Sequence, residues 1–393
     1  MNPAAEFDLI VYGASGFTGR LVAEYLAQRY GVGGSVKWAM AGRSADKLAA
    51  VRDEIGAPKE TPLVVADADD PASLAAMVGR AKAIVTTVGP YQLYGTPLVA
   101  ACAKAGTDYL DLCGEPGWMR QMIDAHDADA KASGARILFS CGFDSIPFEA
   151  GVRFLQEEAV RRFGAPLPRV KGRVRAMKGG FSGGTAASLK ATMAAAMKDP
   201  GLIELLKSPF ALTLGFDGPV QPHGMAPEFD DQLGVWVAPF IMATINTKNV
   251  HRSNALQGHA YGADFVYDEM MMTGPGEQGE AMAKAMANPN AAMGGSGGPK
   301  PGEGPSKEER ETGFYDVLFV GTAADGRVLK ASVNGDKDPG YGSTSKMLAE
   351  AAIALVQDAP DAKGGVLVPA AVLGDKLVKR LEANAGLKFT IED

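Results

Sequence analysis

Phe7-Asp8-Leu9-Ile10-Val11-Tyr12-Gly13-Ala14-Ser15-Gly16-Phe17-Thr18-Gly19 is the stretch whose reading decides the fold. Residues 9–12 are an uncharged run of strand formers, as expected of a parallel strand buried on both faces. A glycine-punctuated turn follows, and Leu21, Val22, Tyr25 and Leu26 then recur at helical spacing. In such a strand-turn-helix unit Gly13 permits the sharp turn, Gly16 lets a pyrophosphate approach the backbone, and Gly19 lets the helix pack closely on the strand. Free N–H groups at the helix start, with the positive end of its dipole, make the anion site. The spacing is G-x-x-G-x-x-G rather than G-x-G-x-x-G, so the turn carries weight only through its strand and helix context. Gly13, Ser15, Gly16, Phe17, Thr18 and Gly19 are the first candidates for cofactor contact.

At 393 residues the chain is long for one core, and two domains are expected. Its 46% hydrophobic and 22% charged residues are those of a soluble globular protein. A net charge of −7 argues against a nucleic-acid partner, whose phosphates demand a basic surface. Cys102, Cys113 and Cys141 form no C-x-x-C pair, and the four histidines form no H-E-x-x-H pair, so neither a disulfide framework nor a metal site is expected. The apolar run at residues 9–12 is too short for a signal peptide. The most apolar later stretch, residues 235–245, is broken by Pro239 and falls short of the ~20 residues of a membrane span. A cytoplasmic location is expected, with peripheral membrane contact left open.

Residues 36–41 read as a second strand ending in Gly42-Arg43-Ser44. An acidic residue near this point takes the ribose hydroxyls of NAD, whereas an arginine accommodates a 2′-phosphate. Arg43, Ser44 and Lys47 therefore favour NADP(H), the plainer alternative being that Ser44 caps the helix at 45–55 and the two cations are solvated. A third strand at 63–66 ends at Asp67, which either meets the adenine amino group or is an ordinary loop residue. The fourth, at 83–87, delivers Val88-Gly89-Pro90-Tyr91 to the carboxyl edge of the sheet, where ligands of open parallel sheets lie. Strands at 107–112 and 136–140 complete six alternating units, a doubly wound α/β domain.

The domain boundary is expected near residue 150. Arg169, Lys171, Arg173 and Arg175 alternate with smaller residues, which puts four cations on one strand face, either solvated or facing an acidic substrate. Residues 288–312 are poor in large apolar side chains and read as a mobile loop. Ala324-Asp325-Gly326 marks a hairpin, and helices at 343–356 and 369–384 are candidates to pack back on the first domain. A proton donor should come from the carboxyl edge, where Tyr91 and Asp144 follow strands. Each also has a structural reading, Tyr91 stacking beside the nicotinamide and Asp144 capping a helix. No tyrosine of the first domain has a lysine four residues on, which separates the chain from the short-chain reductases with a Y-x-x-x-K base.

Taken together, Gly13–Gly19, Ala41-Gly42-Arg43-Ser44, Val88-Gly89-Pro90-Tyr91, the run Tyr109–Glu115 and Gly142-Phe143-Asp144-Ser145-Ile146-Pro147 resemble the saccharopine-dehydrogenase-like oxidoreductases, in the bacterial branch that includes the trans-acting enoyl reductases. Later matches are residues 182–188, Gly340-Tyr341-Gly342-Ser343-Thr344 and 364–370, so the resemblance covers nearly the whole chain. It implies a Rossmann-type doubly wound parallel sheet over 1–150 that binds a nicotinamide cofactor, read as NADP(H) from Arg43, and a second α+β domain over 151–393 for substrate and dimerisation. The reading is an NADPH-dependent reductase of a C=C or C=N bond in a lipid-like or polyketide-like acyl substrate, with a homodimer left open. Its rivals are a saccharopine-type amino-acid dehydrogenase, which would use Arg173 or Arg175 as a carboxylate clamp, and a non-catalytic NADP(H)-binding sensor or scaffold.

Overall fold

The computed structural model describes residues 5–180, 183–288 and 302–392. The first strands are β1 (Phe7–Tyr12), β2 (Trp38–Gly42), β3 (Leu63–Val65), β4 (Ala81–Thr86), β5 (Asp108–Leu110) and β6 (Arg136–Leu138). Helices separate them, and every pairing is parallel, so all the strands end at one edge. Leu9, Ile10 and Val11 are fully buried, as a strand covered on both faces requires.

The second sheet contains β7 (Arg169–Lys178), β8 (Glu228–Asp230), β9 (Val235–Pro239), β10 (Val266–Gly274), β11 (Phe314–Thr322) and β12 (Val328–Gly335). The chain then returns to both sheets. Gly365–Leu367 (β13) pairs with β6 and gives the first sheet the order β3-β2-β1-β4-β5-β6-β13, while Leu387–Glu392 (β14) closes the second as β14-β12-β11-β7-β10-β9-β8. The second sheet is mixed, with β7 and β10 parallel and its other pairs antiparallel. The first sheet is thus completed by a strand that lies far beyond residue 150.

One apolar core joins the two sheets. Leu9, Val11, Met40 and Val85 from the first sheet share it with Phe148 on the helix Ile146–Phe163 and with Val317 and Phe319 of β11. A Cβ on Gly151 would sit 2.3 Å from the Phe319 ring, so this helix lies on the sheet only because position 151 has no side chain.

The four cations of β7 are paired within the sheet. Lys171 and Arg173 contact Asp230, Arg173 also contacts Asp268 at 2.7 Å, Arg169 contacts Asp268, and Arg175 contacts Asp316 and Glu392. Strands β8, β10, β11 and β14 supply those carboxylates, so the face is an internal ion-pair ladder, with Arg173 and both of its partners buried.

The expected mobile loop at 288–312 is corrected where it is described. Residues 289–301 lie outside the described residues, but Lys307–Thr312 is a helix, started by a capping box in which Ser306 Oγ accepts from Glu309 N and the Glu309 carboxylate accepts from Ser306 N.

The helix Thr344–Ile353 packs on the helix Phe17–Tyr30 through Glu350, which is fully buried. Its carboxylate accepts from the Tyr25 and Tyr30 hydroxyls, both at 2.6 Å, and from Arg380 at 3.1 Å. Removing one partner of a buried charge pair leaves the rest unsatisfied. Glu350→Ala is expected to lower the unfolding free energy by about 3–5 kcal/mol, read from urea denaturation.

Candidate cofactor and active site

The glycine turn is built by close approach. Gly13 has φ +90°, and a Cβ there would lie 2.8 Å from both Thr87 Oγ1 and Val88 Cγ2. A Cβ on Gly19 would lie 2.2 Å from the Gly13 carbonyl oxygen, so only glycine lets the helix come this near the strand. Gly16 is the N-cap of Phe17–Tyr30, and no side chain caps it. The amides of Phe17, Thr18 and Gly19 precede the first intrahelical acceptor and stand ready for an anion.

The second strand brings the 2′-phosphate candidates to the same place. Ser15 Oγ lies 3.5 Å from where a Cβ of Gly42 would be, which sets its hydroxyl beside the end of β2. Arg43 follows, exposed and without a hydrogen bond or ion pair among the described residues. Ser44 Oγ accepts from Lys47 N at 3.3 Å, so Ser44 does cap its helix while Arg43 remains free. Asp67 accepts from Asp69 N at 3.1 Å and its amide donates to Ser73 Oγ, so the loop uses much of its capacity. Burial, then the Asp67 charge, pushes the Tyr12 hydroxyl up to about 12.

Beyond β4, the segment Val88-Gly89-Pro90-Tyr91 is held from below. Glu115, buried, accepts from Tyr91 N at 3.0 Å and Gln92 N at 2.9 Å. The Tyr91 hydroxyl donates to Thr86 O, accepts from Leu112 N at 3.1 Å, and the ring stacks on Trp118 with centroids 5.8 Å apart. Its phenol is therefore turned into the domain and spent on the backbone. Burial raises it well above the ordinary tyrosine range. That arrangement lends no support to Tyr91 as a proton source, since its hydroxyl is engaged by Thr86 O and Leu112 N.

Asp144 differs. It follows Gly142 and Phe143 in the turn after β6, where the Phe143 amide donates to Thr344 Oγ1 at 2.9 Å. A Cβ on Gly142 would collide with Leu112 and Thr344 at 2.7 and 2.8 Å. The carboxylate points toward Gly114, whose Cβ would lie 3.7 Å from Oδ2, and forms no hydrogen bond or ion pair among the described residues. It does not cap the helix Ile146–Phe163, whose N-cap is Ser145 without a side-chain bond. Though its side chain keeps some exposure, the surrounding protein pushes its carboxyl up to about 7 by desolvation.

The second domain faces this edge. The helix Gly183–Lys198 lies over it, with Gln92 Nε2 donating to Thr192 Oγ1 at 3.3 Å and Ser188 Oγ 3.8 Å from a Cβ on Gly89. From the other side, Asn249 Nδ2 donates to Ser145 Oγ at 2.5 Å. Asn249 belongs to the helix Ala243–Leu256, where Asn246, Lys248, Asn249, His251, Arg252, Ser253 and Asn254 are all buried. Sequence reasoning missed this helix, since a run of polar residues reads as a solvated face. It also missed Thr344 and the bracing role of Glu115.

A two-domain protein whose glycine turn, Arg43 and parallel edge fit a phosphorylated dinucleotide is an NADP-dependent oxidoreductase. The comparisons agree in detail. Residues 9–138 match the Saccharopine dehydrogenase NADP binding domain. Over 407 aligned positions the chain is 42% identical to Rv2449c of Mycobacterium tuberculosis, provisionally named a trans-acting enoyl reductase, covering 96% of each. It is 39% identical to the trans-acting enoyl reductase of Mycobacterium ulcerans, again over 96% of each. The chain belongs to the trans-acting enoyl reductase family of saccharopine-dehydrogenase-like proteins. Apo saccharopine dehydrogenase (L-Glu forming) from Saccharomyces cerevisiae shares its fold, with a TM-score of 0.55 at 11% identity over 98% of this chain and 100% of that one. Among the described residues no helix is long and apolar enough to cross a membrane.

The cofactor is NADP(H), and the role expected of Arg43 toward its 2′-phosphate is open to direct test, since the guanidinium is exposed and makes no ion pair among the described residues. Arg43→Gln is expected to weaken NADPH about tenfold or more, the worth of a charge-assisted hydrogen bond, and to leave NADH unchanged, by isothermal titration calorimetry.

Proposed function

We propose that the protein reduces the C=C bond of an α,β-unsaturated acyl substrate of lipid or polyketide type, with Asp144 as its proton donor. When bound, NADPH supplies the hydride, which adds at the β-carbon. Asp144 gives its proton to the α-carbon and is left as a carboxylate, so the electron pair of the double bond is balanced by one hydride and one proton. The single observation that carries this reading is the Asp144 carboxyl, unpaired at the carboxyl edge between the two domains and held near neutrality by burial.

An apolar substrate is supported by the surface beside the Gln92–Thr192 contact. Leu93, Tyr94, Met193 and Met197 expose their side chains there. The name trans-acting enoyl reductase, carried by the relatives, supports an enoyl substrate. The saccharopine-type alternative needs free cations for substrate carboxylates, and the two test residues are committed elsewhere, Arg173 to Asp230 and Asp268 and Arg175 to Asp316 and Glu392.

Asp144→Asn should lower turnover of an enoyl thioester by about 10²-fold or more while leaving NADPH affinity intact, the usual share of a general acid. In the wild type, kcat/KM should fall as pH rises through about 7, where Asp144 loses its proton. An unchanged rate in the Asn variant would sink the assignment.

The same shift has a stability consequence. The unfolded carboxyl titrates near 3.8 and the folded one near 7, so the folded state holds the proton more tightly and stability is lost as pH climbs through that window. Asp144→Asn is therefore expected to raise the melting temperature at pH 8 relative to wild type, and to change it little at pH 4, by calorimetry.

A further inference from the structure

Phe17 stands at the first position of the helix whose free amides form the anion site, yet its ring is held by the second domain. Tyr341 meets it edge-on at 5.1 Å between centroids. Gly304 lies flush against it, since a Cβ there would come within 2.5 Å of the ring. Two guanidiniums, Arg20 and Arg310, sit 5.6 Å from the ring centroid. Arg20 is committed to Glu54 at 2.7 Å, while Arg310 has no ion pair among the described residues.

Arg310 is also aimed. Its Nη1 donates to the Pro305 carbonyl at 2.6 Å, and its own carbonyl accepts from Asp338 N at 3.1 Å. The capped turn at Ser306 fixes the start of its helix, and Glu303 O accepts from Gly183 N at 3.1 Å. Asp338, whose carboxylate feels the Arg310 charge, already accepts from the amides of Tyr341 and Gly342. Arg310 therefore makes no ion pair among the described residues, and apart from the bond to Pro305 O its guanidinium donors are open to an anion that a ligand brings.

We propose that Arg310 is a cofactor-binding residue that the second domain delivers to the pyrophosphate, with the Phe17 ring as the platform that orients its guanidinium over the glycine turn. The chemistry recognised is a diphosphate ester beside the amides of residues 17–19, distinct from the 2′-phosphate that Arg43 meets. The inference is independent of which bond the enzyme reduces.

The test is calorimetric titration of wild type, Arg310→Gln and Arg310→Lys with NADPH, NADH, ADP and AMP. Loss of one charge-assisted contact to the diphosphate should weaken NADPH, NADH and ADP alike by about tenfold, leave AMP unchanged, and be partly restored by lysine. The salt dependence of ADP binding should be shallower in Arg310→Gln. Arg310→Met, which keeps the stem packed on Phe17, substitutes if the glutamine variant does not fold. Equal weakening of ADP and AMP, or ADP and NADPH affinities within about twofold of wild type, overturns the proposal and leaves Arg310 a packing contact. Arg43→Gln separates this from the NADP(H) assignment, since it touches only ligands that carry the 2′-phosphate.

Discussion

The near-contact between Gly19 and the Gly13 carbonyl oxygen sets the geometry on which the site depends. It brings the axis of Phe17–Tyr30 so close to β1 that the first-turn amides open directly at the carboxyl edge of the sheet. A helix start carries roughly half a positive charge, and the effect fades within a turn, so the placement matters more than the dipole itself. Thr87, against Gly13 from the β4 side, ties a third strand to the same point. Strand, turn and helix are thereby fixed before any ligand arrives, and the anion meets donors that need no rearrangement.

Two carboxyls near this edge, the buried Asp111 and the partly exposed Asp144, are both raised to about 7, and their surroundings differ. Asp111 accepts from the Tyr109 hydroxyl at 2.8 Å, from Cys113 N at 2.9 Å and from Ser140 N at 3.0 Å. Those bonds bind the loops after β5 and β6 into one ledge and take three of the roughly four acceptor positions of the carboxylate. Asp144 faces the same desolvation with none of these donors. A carboxyl that is costly to ionise and has no partner is a poor structural element and a suitable proton source. Separating the two requires the hydrogen-bond partners, because burial alone treats them alike.

The first domain was legible in the sequence because its signals are local. The first three strands end where an apolar run meets Gly13, Gly42 or Asp67, and Asp70-Pro71 starts its helix as cap and first-turn proline. The 2′-phosphate reading could be made from Arg43 alone for the same reason. What the sequence concealed depends on residues far apart in the chain. The cations of β7 looked either solvated or substrate-facing because their carboxylates come from residues 230, 268, 316 and 392. The polar helix Ala243–Leu256 carries no pattern announcing burial, since it is covered by polar and apolar groups from both domains. The Lys307–Thr312 helix is the exception, for Ser306 and Glu309 spell a capping box that a loop-like composition overshadowed.

Both ends of the cleft are tied to one short segment of the second domain. Tyr341 packs on Phe17 at the phosphate end, and Thr344, three residues later, accepts from the Phe143 amide beside Asp144 and donates to the Pro339 carbonyl. Asp338 caps that segment through Tyr341 N and Gly342 N, and Gly179 and Gly313 press against residues 338 and 339 so closely that neither position has room for a Cβ. The glycine turn and Asp144 both rise from the carboxyl edge of the first sheet, and this hydrogen-bonded segment of the second domain touches the structure beside each of them. Under the proposed reduction, in which a hydride and a proton reach adjacent carbons, such bracing matters because a displacement of about 1 Å at either end is enough to spoil alignment.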